Sequence, residues 1–262
     1  MTESSTQGSP AAFSYAGHGS RAAFGVAICH GFTGSPLSVL PWAEHLSKLG
    51  FAVEVPLLPG HGTDWRQLAK SGWKEWYGCF ERSYLALAGR TESTFVAGLS
   101  MGGAIAMRLA ARHPVAGLAL VNPGLTFYDR RVRFVSMLKY VMPTTDPIVE
   151  DEPTAEATDD GDYSRTPLAA VHELRKLFQS TRRSLPGITA PAVIFVSAVD
   201  AVVPPNSVGL IKRHIRSREL QIVPLPHSGH VATLDIDAPV IFDQSTDFFL
   251  RHAAYPVPSE SS

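Results

Sequence analysis

Gly98-Leu99-Ser100-Met101-Gly102 follows the β-branched and aromatic stretch Thr94 to Ala97 and immediately precedes a helical pattern, Met101 to Arg112. A serine on a tight strand-to-helix turn is held in a strained backbone conformation. Glycines two residues to either side let strand and helix approach without Cβ clashes. The hydroxyl then points out of the sheet, at a helix N-terminus that favours developing negative charge nearby. The context carries more information than the pentapeptide, and it makes Ser100 the candidate nucleophile.

Outward from this turn, short β-rich apolar runs alternate with helical patterns, which predicts βα units on a mostly parallel sheet flanked by helices. The expected strands are Phe24 to Cys29, Phe51 to Val55, Thr94 to Gly98, Leu118 to Val121, Ala192 to Ser197 and Leu220 to Leu225, with Phe13 to Ala16 as an added edge. Helices are expected over Leu37 to Leu49, Trp73 to Ala88, Met101 to Arg112, Asn206 to His214 and Pro239 to His252. In the helix after Ser100, Ile105 and Leu109 share a core side while Arg108 and Arg112 share a solvent side.

Gly124 to Gly187 breaks the alternation. It holds no good strand and lies between two strand candidates, so it is expected to be a cap, an insertion emerging from one edge of the sheet. Its first part is apolar and basic (Phe127, Tyr128, Phe134, Met137, Leu138, Tyr140), and Asp146 to Asp162 is an acidic, Pro-broken run expected as a solvated loop. Thr166-Pro167 is expected to start a helix, Pro at its first position, with Leu168, Val171, Leu174 and Leu177 as an apolar stripe. That stripe suits either an acyl chain or packing against the sheet, and Leu174 is its candidate substrate contact. The expected organisation is a tail over 1–12, a core formed by 13–123 and 188–254, the cap over 124–187, and a second tail over 255–262.

A serine hydroxyl is a poor nucleophile without a base, so the turn demands a His and an orienting acid in the chain order Ser, Asp, His. Asp200 lies in Ser197-Ala198-Val199-Asp200, just after an expected strand, and His230 lies in Ser228-Gly229-His230-Val231, after another. Asn122 also follows a strand but cannot ionise. His227 is the alternative base, three residues before His230; Asp235 and Asp237 are expected to be capping or surface groups near the last helix. A tetrahedral intermediate also needs backbone donors for its oxyanion. His30-Gly31-Phe32-Thr33-Gly34 follows the first central strand, so the amides of Phe32 and Met101 are the candidate pair. His30 is expected to hold that loop by hydrogen bonds, and His61, in Pro59-Gly60-His61-Gly62, to be structural.

A chain of 262 residues can bury a full core without metal or disulfide support. At 45% hydrophobic and 18% charged residues it is a globular composition, which excludes a fibrous repeat or extended disorder. Twenty-three Lys plus Arg against 24 Asp plus Glu give a net charge of -1, so no global basic field attracts nucleic acid. Cys29 and Cys79 lack CxxC spacing and read as buried free thiols, arguing against zinc and against a secreted disulfide framework. Met1 to Ala12 has no basic start and no apolar centre, and no apolar run approaches the ~20 residues of a membrane span, so a cytoplasmic location is expected.

Taken in order, HGFTG, PGHG, GLSMGG, the Thr-Pro-led cap helix, VSAVDAVVP and HSGHV resemble the small bacterial carboxylesterases and monoacylglycerol lipases of the α/β-hydrolase superfamily, over about Phe24 to Leu250. The resemblance implies an α/β-hydrolase sheet trimmed at its N-terminal end, with a small helical cap over an ester site. On matching positions it implies Ser100 as nucleophile, Asp200 as acid, His230 as base, and the amides of Phe32 and Met101 as the oxyanion hole. Met101 departs from the Leu or Gln common in the family, which bears on pocket shape and not on the backbone donor. The implied partner is a small-molecule ester, with no metal, no organic cofactor, no nucleic acid and no integral membrane. Thioesterase, amidase or acyltransferase chemistry would use the same triad; dehalogenase and epoxide hydrolase chemistry would need Asp where Ser100 stands.

Overall fold

The computed structural model describes residues 11–128, 144–145 and 165–253. Strands β1 (Phe13–Tyr15), β2 (Phe24–Cys29), β3 (Ala52–Val55), β4 (Ser93–Leu99), β5 (Leu118–Val121), β8 (Ala192–Ser197) and β9 (Leu220–Leu225) form one sheet in the order β1-β3-β2-β4-β5-β8-β9. β1 joins antiparallel at the edge, and the other pairs are parallel. Helical crossovers between successive strands make that parallel pairing possible.

Both faces of the sheet are buried, and the period-2 side-chain alternation divides each strand between two cores. Ala27 and Cys29 of β2, Leu118 and Leu120 of β5, and Ala192 and Ile194 of β8 pack under helices α3 (Trp73–Ala88) and α4 (Met101–Ala110). Val26 and Ile28, Ala119 and Val121, and Val193 and Phe195 face the other way. There they meet α1 (Leu40–Lys48) and α7 (Ala238–Ala253), which Trp42 Nε1 links by donating to Ser245 Oγ at 2.9 Å.

Several element ends differ from expectation for identifiable reasons. Leu37 to Leu49 is a 3₁₀ turn, Pro36–Val39, followed by α1, because Pro41 has no N–H to donate back to Leu37. A short helix α2 (Trp65–Leu68) was not expected; its signal is Asp64, whose Oδ1 accepts from the amides of Arg66 at 2.6 Å and Gln67 at 3.1 Å. Arg108 is not a purely solvent-facing residue, since its guanidinium lies 4.9 Å from the Trp73 ring centroid.

The expected strand-free segment contains two-residue strands, β6 (Thr144–Thr145) and β7 (Thr166–Pro167), paired antiparallel. That pairing keeps Pro167 extended, with φ −72° and ψ 124°, so it caps the helix from outside instead of occupying its first position. The helix, α5 (Leu168–Ser184), buries Leu174 and Leu177 in the core shared with α3 and α4, Val171 is also buried, and Thr181 Oγ1 donates to Ala104 O at 3.1 Å. α6 (Asn206–His214) lies where expected. Phe134, Met137, Leu138, Tyr140, the acidic run 146–162 and, apart from Ala11 and Ala12, the two tails lie outside the described residues. Among the described residues no helix is long and apolar enough to cross a membrane.

Candidate active site

Ser100 stands between β4 and α4 with φ 55° and ψ −116°, a left-handed backbone that costs a non-glycine residue about 1–3 kcal/mol. Hydrogen bonds on both sides enforce it. The Ser100 N–H donates to Val121 O at 2.9 Å, and its carbonyl accepts from Gly103 N at 3.0 Å and Gly124 N at 3.1 Å. The glycines permit the close approach: a Cβ on Gly98 would sit 2.4 Å from the Gly102 carbonyl carbon, and one on Gly102 would sit 2.1 Å from Cys29 O. Helix α4 therefore starts in direct backbone contact with the end of β2.

Contact with β2 brings the HGFTG loop to the serine. A Cβ on Gly31 would lie 3.7 Å from Ser100 Cβ, so Gly31 borders the nucleophile, with Phe32 next in the chain. Met101, fully buried, opens α4, where a first-turn N–H has no intrahelical acceptor. Phe32 is half-buried, its ring 6.0 Å from Trp76 and 6.2 Å from His61.

His30 holds this loop from beneath. Its Nδ1–H donates to Gly31 O at 2.9 Å while Nε2 accepts from Leu58 N at 3.2 Å, a division of roles that needs a neutral ring. Burial, opposed in part by the Gly31 hydrogen bond, lowers its pKa from 6.5 to about 4. Burial also pushes the neighbouring His61 well below its usual value, as does the nearby His30, while the hydrogen bond to Pro59 O opposes both. The folded state therefore holds both imidazoles neutral. Between pH 6.5 and 4 an unfolded chain binds a proton that folded His30 refuses, so stability falls as pH drops through that window, by about 3 kcal/mol for this residue. Urea unfolding at pH 7 and pH 4.5 is expected to show a smaller acid loss in His30→Gln than in wild type. Equal losses would remove His30 as the source.

Asp200 and His230 come from the loops after β8 and β9, neighbouring strands. His230 Nδ1 and Asp200 Oδ2 are 2.9 Å apart, with side-chain exposures of 4% and 7%. The other carboxylate oxygen accepts from the amides of Val202 at 2.8 Å and Val203 at 2.9 Å. With Nδ1–H committed to Asp200, Nε2 carries the lone pair that a general base needs. His227 is elsewhere: its side chain is 66% exposed and 3.4 Å from Asp237.

The carboxylates of Asp235 and Asp237, expected as capping or surface groups, turn instead toward the loop before the final helix. Asp235 Oδ2 accepts from Gly229 N at 2.8 Å, and Asp237 Oδ2 from His227 N at 2.8 Å, so the two brace the loop carrying His230. Burial alone would raise the Asp237 pKa; hydrogen bonds from His227 and Ser228 outweigh it and lower the value. Asn122, which cannot ionise, is buried and its amide nitrogen lies 2.8 Å from His230 O. Its signal was position, directly after β5. Leu174, 5% exposed, packs in the core shared by α3, α4 and α5. Cys29 is buried and Cys79 half-buried, both free; burial raises both thiol pKa values, which leaves them poor nucleophiles.

Comparison with known proteins places the chain in a family. The chain is 36% identical over 239 residues to a thermostable monoacylglycerol lipase of Bacillus sp. (strain H-257), covering 87% of this chain and 91% of that protein. It is 23% identical over 224 residues to a carboxylesterase of Bacillus subtilis (strain 168), covering 85% and 91%. A solved structure from work on LipS and LipT, two metagenome-derived lipolytic enzymes, superposes with a TM-score of 0.86 at 32% identity, over 93% of this chain and 98% of that one. The family model described as serine aminopeptidase, S33, matches residues 21–237. With that match spanning most of the chain, and the strand-turn-helix at Ser100 inside it, the chain belongs to the serine aminopeptidase S33 family of α/β-hydrolases and is a serine hydrolase of the ester-cleaving kind.

Proposed function

We propose that the chain hydrolyses carboxylic esters through an acyl-enzyme on Ser100, with monoacylglycerols as its substrate class. The observation that carries the reading is the Asp200–His230 pair, 2.9 Å apart with both side chains buried, in the loops after β8 and β9, in the same sheet as the strand that ends at the left-handed Ser100. His230 Nε2 takes the Ser100 hydroxyl proton as Oγ attacks the ester carbonyl carbon. The oxyanion is received by the amides of Phe32 and Met101. On collapse the C–O bond to the alcohol breaks, and the imidazolium proton passes to that leaving oxygen. Water, losing a proton to His230, then attacks the acyl carbonyl; the acid departs and Ser100 regains its proton. Ester and water are consumed, acid and alcohol formed.

Support for a lipid ester comes from the 36% identity with the Bacillus monoacylglycerol lipase over 239 residues. The test is turnover of p-nitrophenyl esters of graded chain length beside monoacylglycerols and an aminoacyl p-nitroanilide, in wild type and Ser100→Ala. Ester cleavage lost in the variant is the expected result. Anilide cleavage in the absence of ester cleavage would instead favour the peptidase activity that the family's description names.

Gly124 to Gly187 acts in this reading as a cap that shapes the acyl pocket, with Leu174 on α5 as its contact. Each methylene fitted into an apolar pocket is worth about 1 kcal/mol at best, so Leu174→Ala is expected to shift the ratio of long-chain to short-chain ester rates by about tenfold. Loss of stability with an unchanged ratio would confine Leu174 to packing. Two free thiols fit a reducing compartment, which supports a cytoplasmic location.

A further inference from the structure

Asn122 takes no part in the reaction scheme, yet it stands 3% exposed at the end of β5, between the strand leading to Ser100 and those leading to Asp200 and His230. Its φ is 42°, so the backbone leaves the sheet here, immediately after its own N–H donates to Phe195 O at 3.0 Å. The next inward N–H of β8, that of Ser197, meets no β5 carbonyl beyond this point, and Asn122 Oδ1 takes it at 2.8 Å. The same amide's nitrogen lies 2.9 Å from Ser197 Oγ, 2.8 Å from His230 O and 3.3 Å from Gly229 O. One planar group therefore ties the last residue of β8, three positions before Asp200, to the backbone of His230.

The segment that follows continues the bracing on the acid's side. Thr126 Oγ1 donates to Asn206 Oδ1 at 2.5 Å and meets Ser207 Oγ at 2.9 Å, while Tyr128 OH donates to Asp200 O at 3.3 Å. An amide alone offers, at this length, an acceptor for the Ser197 N–H and two donors for the carbonyls and hydroxyl opposite. A carboxylate of the same shape would aim lone pairs at those carbonyls, and alanine would leave buried backbone groups unpaired.

We propose that Asn122 is a positioning residue for the general base: it holds the His230 loop against the end of β8, so that the imidazole bonded to Asp200 also meets the Ser100 hydroxyl. The inference rests on the ester-hydrolase reading above. A base displaced by about 1 Å can cost about 100-fold in rate, whereas a pocket that keeps its shape binds substrate as before.

The experiment measures kcat and KM on a p-nitrophenyl ester for Asn122→Ala and the isosteric Asn122→Asp, with active sites counted by fluorophosphonate titration of Ser100, beside Ser100→Ala. Expected is a kcat per titrated site lower by about 100-fold for Asn122→Ala and at least about tenfold for Asn122→Asp, with KM changed less than about threefold. A kcat per site near wild type in either variant would overturn the inference. So would failure of both to fold, since that assigns Asn122 to the fold instead of the base. If Ser100→Ala itself turned the ester over, the ester-hydrolase reading would fall, whatever the Asn122 variants did.

Discussion

Ser100→Ala is expected to lower ester turnover by about 10⁴-fold or more, and His230→Ala by a similar factor, because neither half of the nucleophile-base pair works without the other. Asp200→Asn is expected to follow at about 10³-fold or more: the amide offers its nitrogen to Val202 N–H or to the His230 ring, and either choice disrupts a bond that now orients the imidazole. Losses in this group do not add, so the Ser100→Ala/His230→Ala double variant is expected to match the worse single one. Single-turnover assays with a chromogenic ester, combined with mass-spectrometric mapping of a fluorophosphonate adduct, check the assignment. Near-normal rates in His230→Ala together with a loss in His227→Ala would transfer the base to His227. An adduct on any residue other than Ser100 would remove the nucleophile.

Among the described glycines, Gly102→Ala is expected to add the most damaging methyl group. Its Cβ would come 2.1 Å from Cys29 O and 2.6 Å from His30 O, both backbone atoms that end a central strand and cannot swing aside. Helix α4 would have to retreat from β2, taking the Met101 amide away from the Phe32 amide. Destabilisation of at least about 3 kcal/mol and loss of most activity are expected. Gly209→Ala gives the contrast. Nothing lies within 4 Å of its added Cβ, it sits inside α6, and replacing a helical glycine by alanine favours folding by up to about 1 kcal/mol. Urea denaturation of both variants measures the difference, and equal stability of Gly102→Ala and wild type would refute the steric account of the glycine spacing.

The parts of this protein legible in one dimension are those set by local chemistry. Short, continuous apolar runs marked the central strands because both faces of a parallel sheet are buried, and glycines around Ser100 marked a close approach of strand and helix because only a missing Cβ allows it. Bonds between residues far apart in sequence were not legible in this way. Pro167 stayed extended instead of starting α5 because Thr166 and Pro167 pair with a segment more than twenty residues earlier. Asp235 and Asp237 read as helix-end groups, and the structure turns their carboxylates toward amides of the His230 loop.

Asn122 marks the division most sharply. By itself the sequence determined that a neutral side chain follows β5, which set it aside as an acid. Only the tertiary structure, by placing β5 beside β8 and β8 beside β9, decided that this amide faces Ser197 and the backbone of His230. The physical reason is range: backbone propensity and burial period act over a few residues, whereas a hydrogen bond across 108 residues exists only after the sheet has chosen its strand order.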